Sequence, residues 1–274
     1  MNSAQFYYLL RRGIIGGGGS SGGFDTDYQA VLDRSTALGY TAPSASQQTL
    51  QNTLVEDLKT AGVWDKLDVF YVFATDGDSD FATLNWKAPS SHQVTKVNSP
   101  TFTADSGFTG DGTSAYLNTS FRPLTNGNNY QANNASIGVY YNSSLSSNNL
   151  YLSAYRTSAD TDETFLRAGG QSPNVINNNN ASNRDAFSVV GDFAQIHRNS
   201  SNQYLFTNGI ETDSLAITGS NSLTDFEVYL LGLNNGGSIA ALSNAQINFF
   251  YLGSTLISES SDFYNSLNTY KSAL

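Results

Sequence analysis

The chain has 274 residues, of which only 13% are charged, and its formal net charge is −10. A negative chain without clustered Lys and Arg is a poor partner for nucleic acid, because binding phosphates needs a surface of cations. Cysteine is absent, which excludes disulfides, thiolate metal sites and cysteine nucleophiles.

The N-terminus predicts an apolar anchor on a flexible tether over residues 1–23. Glycine and serine fill residues 16–23, and a random-coil tether of that length has a mean span of about 15 Å. Arg11 and Arg12 follow the apolar run, which is also too short to cross a bilayer, so we expect neither a secretory signal peptide nor a membrane span. We expect the anchor to bind neighbouring subunits, because its exposure to water is unfavourable. The apolar side chains of the anchor are Phe6, Tyr7, Tyr8, Leu9, Leu10, Ile14 and Ile15.

Two amphipathic helices are predicted within residues 24–66. Thr26 resembles the cap of the first helix, which Gly39 ends, and Ser44 resembles the cap of the second. An amphipathic helix must bury its apolar stripe, so both helices are expected to cover the apolar strand at 67–74.

From residue 67 onward the sequence predicts short strands separated by turns. Aromatic residues reach 12%, and Gly, Asn, Ser and Thr are abundant, which favours a mainly β, antiparallel sandwich. The strongest signal is Asn208-Gly209, because this pair accepts the positive φ angles of the type I′ turn in a tight hairpin. We expect 174–185 to be a surface loop and 258–270 a closing helix. Strands are expected at 67–74, 81–86, 94–97, 101–103, 115–118, 136–141, 150–154, 164–167, 187–190, 204–207, 226–233 and 247–252.

Four segments follow one another in an order that a known family shares. A glycine turn leads into a tyrosine-containing strand at 108–119, an apolar strand follows at 135–141, and a hairpin with an Asn-Gly turn follows at 204–210. A last strand and a helix occupy 246–270. In this order the segments resemble the laminin-G-like, concanavalin A-like jelly roll, over residues 98–274.

The block at residues 24–48 resembles the helical lead-in of structural proteins from tailed phages of Bacteroidetes-type hosts. This resemblance implies a virion surface protein, such as a tail, fibre, spike or head-surface protein, made in the host cytoplasm and displayed on the extracellular particle. It implies binding to other virion subunits through residues 1–23, attachment to a host-surface glycan, and a homo-oligomer. The expected domains are 1–23 as anchor and tether, 24–66 as a helical collar, and 67–274 as the jelly-roll domain.

Catalytic motifs are weak, so we expect a protein that is not an enzyme. Formal matches to the nucleophile elbow and the dinucleotide fingerprint fall in the glycine tether, where no strand precedes them. His92 and His197 lack a zinc spacing, and His197 is expected in a turn. The paired Glu and Asp of jelly-roll glycosidases do not occur on one strand here. Two alternatives stay open: a hydrolase or lyase of capsule polysaccharide, whose carboxylates converge from distant strands, and a bacterial adhesin or lectin.

One loop is a candidate metal site. Asp76, Asp78 and Asp80 alternate along the chain, as the carboxylates of a Ca²⁺ loop do. However, Phe81 and Lys87 stand where an EF-hand needs Gly and Glu. The favoured interpretation is therefore a turn in which Asp side chains cap backbone amides, with Ca²⁺ as the minority alternative and no other cofactor expected.

A second candidate site consists of Tyr151, Tyr155 and Arg156. Tyrosine offers an aromatic face and a hydroxyl, which both sugar platforms and subunit interfaces require. Arg156 follows directly and is expected to complete a ligand contact or an interface ion pair.

Overall fold

The computed structural model describes residues 23–142, 150–157, 162–168, 174–178, 193–217 and 223–274. Within these ranges the chain is mainly β, with two large sheets and few helices, which confirms the predicted sandwich. No helix in the described part of the chain is both long and apolar enough to cross a membrane. Residues 1–22 of the predicted anchor and tether, and the predicted strand at 187–190, lie outside the described residues.

Three of the four α-helices in the described residues begin and end close to the predicted positions, and the short helix at Pro123–Asn126 was not predicted. The helices are α1 (Thr26–Leu38), α2 (Ala45–Thr60), α3 (Pro123–Asn126) and α4 (Ser260–Lys271). The cap of α1 is Asp25 rather than Thr26, because the Asp25 carboxylate accepts from the backbone N–H two residues on. A carboxylate at this position also meets the positive end of the helix dipole. Gly39, at φ 74°, ends α1, and Ser44 caps α2, as predicted.

The strands are numbered along the chain. They are β1 (Leu67–Val72), β2 (Thr95–Val97), β3 (Thr101–Thr103), β4 (Gly107–Thr109), β5 (Tyr116–Asn118), β6 (Ala135–Tyr141), β7 (Leu150–Arg156), β8 (Glu163–Ala168), β9 (Val175–Asn178), β10 (Phe193–Arg198), β11 (Asn202–Thr207), β12 (Ile210–Ala216), β13 (Tyr229–Leu230), β14 (Leu233–Asn235), β15 (Ser238–Ala240) and β16 (Gln246–Gly253).

Two sheets contain these strands. The first sheet has the order β12-β11-β10-β6-β16-β4-β3, and β1 also pairs with β16. The second sheet has the order β15-β14-β7-β13-β5-β2, with β8 paired to β7 and β9 paired to β8. The pairs are antiparallel except for β7 with β14, which are parallel. Since β16 pairs with β6 on one side and with β1 and β4 on the other, it lies at the centre of the first sheet.

An inner core lies between the two sheets. Alternate residues of the central strands point into it, as the period of two in a pleated strand requires. Each fully buried aliphatic side chain contributes about 1.5–3 kcal/mol relative to an exposed one. The first sheet supplies Ile137, Val139, Ile196 and Leu252, and the second supplies Leu117, Leu152, Leu166 and Leu230.

An outer core lies on the opposite face of the first sheet, under α1, α2 and α4. Phe70 of β1 is fully buried there, and its ring centroid lies 6.2 Å from that of Trp64 and 6.0 Å from that of Trp86. Phe263 of α4 packs on the same ring at 6.1 Å. The helices of residues 24–66 therefore cover the first sheet together with α4.

A buried hydrogen-bond network joins these three helices at the end of β1. Gln51 of α2 accepts from the Tyr28 hydroxyl of α1 at 2.8 Å and donates to the Tyr270 hydroxyl of α4 at 3.0 Å. Gln51 also donates to Thr75 at 3.1 Å, and Tyr270 donates to the carbonyl of Ala74 at 2.8 Å. Such bonded polar groups in a low-dielectric interior fix the orientation of the helices.

Three predicted segments differ from the structure. Residues 81–86 begin with a 3₁₀ turn over Phe81–Thr83 instead of a strand. Residues 174–178 are not a surface loop, because the side chains of β9 at 175 and 176 are fully buried. The predicted strand at 226–233 divides into β13 and β14, and the intervening Leu231 has a positive φ of 63° that interrupts an extended strand.

The predicted hairpin is confirmed. Asn208 has φ 50° and Gly209 has φ 75°, and the two residues join β11 to β12. Positive φ at both central positions is the requirement of a type I′ turn. A Cβ added at Gly209 would also crowd the backbone of Ser261, so the turn packs closely against α4.

Candidate functional site

The outer face of the second sheet is the face that α1, α2 and α4 leave free, since these helices pack on the first sheet. Cross-strand register places one row of residues on this face. The row consists of Asn118, Tyr229, Ala154, Phe165 and Val175 on successive strands. Ala154, Phe165 and Val175 belong to an apolar cluster that is separate from the inner core. The row therefore lies on the outer face of the second sheet.

Two tyrosines form a ring pair at the β5 end of this row. The ring centroids of Tyr116 and Tyr229 are 4.7 Å apart. Tyr229 is only 7% exposed, whereas Tyr116 is half-buried and presents the more accessible ring. Burial is the main cause that raises the pKa of Tyr229 to about 12, so its hydroxyl stays protonated at neutral pH.

A polar network borders the ring pair. Glu227 accepts from the Asn118 amide at 2.7 Å, and its other oxygen lies 3.4 Å from Arg122 Nη2. Arg122 Nη1 lies 3.7 Å from an Asp225 carboxylate oxygen, and the two side chains are 46% and 50% exposed. Exposed ion pairs of this kind contribute little to stability, so the network matters as a fixed set of donors and acceptors.

The short helix α3 adds an exposed apolar side chain next to this network. Leu124 is 59% exposed, and the neighbouring Thr125 donates a hydrogen bond to Asp225. An accessible aromatic ring, an exposed leucine and convergent polar groups are therefore combined in one region. We call the set Tyr116, Asn118, Arg122, Glu227 and Tyr229 the tyrosine patch.

The sequence prediction for Tyr151, Tyr155 and Arg156 needs correction, because these residues do not share one surface. Tyr151 lies on the outer face, where the Arg167 guanidinium stacks 4.1 Å from its ring centroid. Tyr155 is 1% exposed and belongs to the inner core. Arg156 is half-buried and donates to the Asn235 side chain at 2.9 Å.

The loop with three aspartates has the geometry of a capped turn. Asp76 accepts from the backbone N–H of Ser44 at 3.0 Å, and Asp78 accepts from three backbone N–H groups at 2.6, 2.7 and 3.0 Å. Asp80 pairs with Lys96 at 2.7 Å. Burial raises the pKa of Asp78, but these hydrogen bonds outweigh it and hold the pKa below its usual value. Within the described residues no three His, Cys, Asp or Glu side chains are grouped to hold a metal ion.

A buried serine–histidine pair links β10 to α4. His197 lies within β10 and is fully buried, so the expectation of a turn residue is wrong. Its Nδ1 accepts from the backbone N–H of Leu256 at 3.1 Å, and its Nε2 lies 3.1 Å from the Ser260 hydroxyl. A neutral histidine that accepts at Nδ1 carries its proton on Nε2 and donates it to the serine.

In this pair the histidine donates its proton to the serine, whereas a nucleophilic serine donates its proton to its base. Ser260 uses its own proton to donate to the carbonyl of Leu256 at 2.8 Å. A general base must instead accept the serine proton. The contact between His197 and Ser260 therefore holds α4 on the first sheet.

The tyrosine patch was not predicted from the sequence. Tyr116 and Asn118 alternate on one predicted strand, and Glu227 and Tyr229 alternate on another, so a period of two indicates that each pair shares a face. However, the alternation along each strand does not show which strands pair with each other. In the structure, two strands more than 100 residues apart in sequence lie side by side, with Tyr229 opposite Asn118.

Comparison with known proteins gave matches to solved structures alone. No family model and no curated protein matches the chain. The receptor binding domain of botulinum neurotoxin C/D mosaic serotype is 12% identical, with a TM-score of 0.46 over 74% of this chain and 51% of that one. The NanB sialidase from Streptococcus pneumoniae is 14% identical, with a TM-score of 0.38 over 48% of this chain and 24% of that one.

A third similar structure is domain 4 of AbnA, a GH43 extracellular arabinanase from Geobacillus stearothermophilus, in complex with arabinotriose. It is 10% identical, with a TM-score of 0.45 over 73% of this chain and 98% of that one. The chain spans about half of the toxin domain and about a quarter of the sialidase. These likenesses concern the fold alone.

Acidification should destabilise the fold through His197. Burial lowers the pKa of His197 to about 3, whereas the pKa of an unfolded histidine is about 6.5. Below pH 6.5 the unfolded chain therefore binds a proton that the folded chain does not bind until about pH 3. The stability contributed by neutral His197 is fully present above pH 6.5 and is lost as the pH falls through this window, by about 2 kcal/mol at pH 5.

Urea unfolding at pH 7 and pH 5 measures this effect. The variant His197→Asn should be less stable at pH 7 but should lose less stability between the two values than the wild type. His92→Asn is the matched control and should keep the wild-type pH dependence, because His92 does not contact the pair. The same pH dependence in wild type and His197→Asn would contradict this role.

Proposed function

We propose that this chain is a non-catalytic recognition protein that binds a carbohydrate at the tyrosine patch. The observation that carries the proposal is the Tyr116–Tyr229 ring pair beside the Arg122–Glu227 network, on a sheet face that α1, α2 and α4 leave free. The serine–histidine pair supports a non-catalytic role, because its proton is placed for structure rather than for nucleophilic attack.

The patch matches the two kinds of surface that a sugar ring presents. A sugar has a face of C–H groups, which the accessible ring of Tyr116 is placed to stack against. It also has hydroxyls that both donate and accept, and the patch offers a carboxylate acceptor in Glu227 with donors in Asn118 and Arg122. A small number of placed polar groups beside apolar surface is the usual composition of a ligand site.

The charge of the patch favours neutral sugars over acidic ones. Arg122 lies against both Asp225 and Glu227, so its charge is already balanced and the local sum is negative. The whole chain has a net charge of −10, which repels an anionic polysaccharide at long range. We therefore propose a neutral oligosaccharide as the ligand, in preference to one with uronic or sialic acids.

We further propose that this recognition attaches a tailed-phage particle to its host, with the domain displayed on the virion surface. The resemblance of residues 24–48 and the order of the strands support this role. The apolar side chains of residues 6–15 on a glycine tether suit insertion into neighbouring virion subunits, and a homo-oligomer would follow the symmetry of that position.

The binding proposal is tested by screening the full chain against neutral and acidic oligosaccharides and titrating the hits by calorimetry. Tyr116→Ala should weaken binding about tenfold or more, because it removes the stacking ring. Tyr204→Ala is the matched control, since it truncates a half-buried tyrosine on the first sheet, and it should bind as the wild type does. Binding unchanged in Tyr116→Ala, or an absence of any hit, would contradict the proposal.

The attachment proposal is tested by deleting residues 1–23. The shortened chain should fold and bind the same oligosaccharide, but it should no longer be incorporated into particles, because the apolar anchor is lost. Full-length Tyr116→Ala is the complementary control: it should be incorporated without binding. Normal incorporation of the deletion variant, measured by quantifying the protein in purified particles, would rule the anchor out.

A further inference from the structure

Arg198 is a cation enclosed in the interior of the sandwich. It is the last residue of β10, and it lies on the same face as Ala194 and Ile196, which point into the inner core. Its side chain is 0% exposed. Its Nη1 donates to the carbonyl of Ile176 at 2.9 Å and to that of Asn177 at 2.7 Å. The guanidinium therefore joins β10 of the first sheet to β9 of the second.

One edge of this guanidinium has no partner among the residues that the structure describes. Nε and Nη2 of Arg198 are buried and make no hydrogen bond to any residue that the structure describes. These two N–H groups lie side by side on the planar guanidinium and point in parallel, which is the fork that grips an anion with two hydrogen bonds. Buried donors are nearly always bonded, so an unbonded pair indicates a missing acceptor.

The described residues next to Arg198 and its backbone acceptors supply hydroxyl and amide dipoles. Asn177 accepts hydrogen bonds from the hydroxyls of Tyr130 and Tyr155 at 2.8 and 2.9 Å, and Thr164 lies 3.4 Å from the Tyr130 hydroxyl. Burial raises the pKa of Tyr130 to about 12, so this nearby hydroxyl is neutral at physiological pH. Burial lowers the pKa of Arg198 only to about 10, so the guanidinium keeps its charge.

A charge in this position is unfavourable without a counter-ion. Arg198 forms no ion pair with a carboxylate of the described residues, although the structure pairs Lys59, Lys66, Lys96 and Arg122 with carboxylates at or near the surface. An uncompensated buried ion carries a desolvation penalty that only a close opposite charge offsets. A water molecule would satisfy the two donors but would leave the charge uncompensated.

We infer that the Nε–Nη2 edge of Arg198 binds a compact inorganic anion, of which chloride is the probe, inside the sandwich. One monovalent anion satisfies both donors and neutralises the guanidinium. The site lies between β9 and β10 and is separate from the tyrosine patch, so it does not depend on the proposed function. Its consequence is that the packing of the two sheets is linked to the halide concentration around the protein.

Thermal unfolding of the full chain tests this inference. The wild type is compared in sodium chloride and in sodium gluconate at equal ionic strength, since gluconate is too bulky for a buried site. We expect a melting temperature higher by about 3 °C or more in chloride. Arg198→Gln should lose this difference, and Arg122→Gln, which replaces an exposed arginine, should keep it. Equal melting temperatures of the wild type in the two salts would overturn the inference in favour of water.

A second measurement decides the matter if Arg198→Gln does not fold. Wild-type crystals soaked in sodium bromide should show an anomalous peak at hydrogen-bond distance from both Nε and Nη2 of Arg198, because bromide replaces chloride and scatters anomalously. An ordered water or a protein oxygen at that position, without anomalous signal, would contradict the inference.

Discussion

The structure depends on the burial of both faces of the central strands of the first sheet. β16 sends Phe250 and Leu252 into the inner core, and it sends Phe249 and Tyr251 into the outer core. The neighbouring β6 is buried along its whole length, and a Cβ added at Gly138 would overlap the ring of Tyr251. Strands of this kind cannot present either face to water, so the centre of the sheet needs a covering layer. The layer formed by α1, α2 and α4 is therefore part of the fold rather than an attachment to it.

This layer makes the two sheets unequal, because the helices cover the outer face of only one of them. The helices occupy the outside of the first sheet, and the tyrosine patch lies on the outside of the second. There the half-buried ring of Tyr116 lies against Tyr229 and beside the Arg122–Glu227 pair. The polar groups deep in the molecule have another role. His197 and Gln51 hold helices on the first sheet, and Arg198 joins the sheets to each other.

The sequence predicted the features that depend on local chemistry. The hairpin at Asn208-Gly209 and the helix cap at Ser44 follow from backbone preferences of single residues, and both are confirmed. Tyr155 shows why the sequence predicted a candidate site at other residues than the tyrosine patch. The sequence does not distinguish Tyr155 from a tyrosine on the outer face of a strand. Only the pairing of distant strands shows that it lies inside the sandwich. The tyrosine patch depends on the same long-range register, which one sequence does not contain. Residues 174–178 were wrongly predicted as a surface loop for a related reason. This polar, asparagine-rich segment is stabilised in the interior by hydrogen bonds with Arg198 and Tyr130.

The most direct test of the central claim is chemical unfolding of Leu267→Ala beside Leu124→Ala. Leu267 of α4 is 0% exposed in the outer core, whereas Leu124 is 59% exposed. If the helical layer is part of the fold, Leu267→Ala lowers the free energy of unfolding by about 2–5 kcal/mol, and Leu124→Ala changes it by less than about 0.5 kcal/mol. Tryptophan fluorescence, which reports on Trp64 and Trp86 in the outer core, should then change together with the β-sheet signal in circular dichroism. An early fluorescence transition with the sheets still folded, or equal small effects of the two substitutions, would contradict the account.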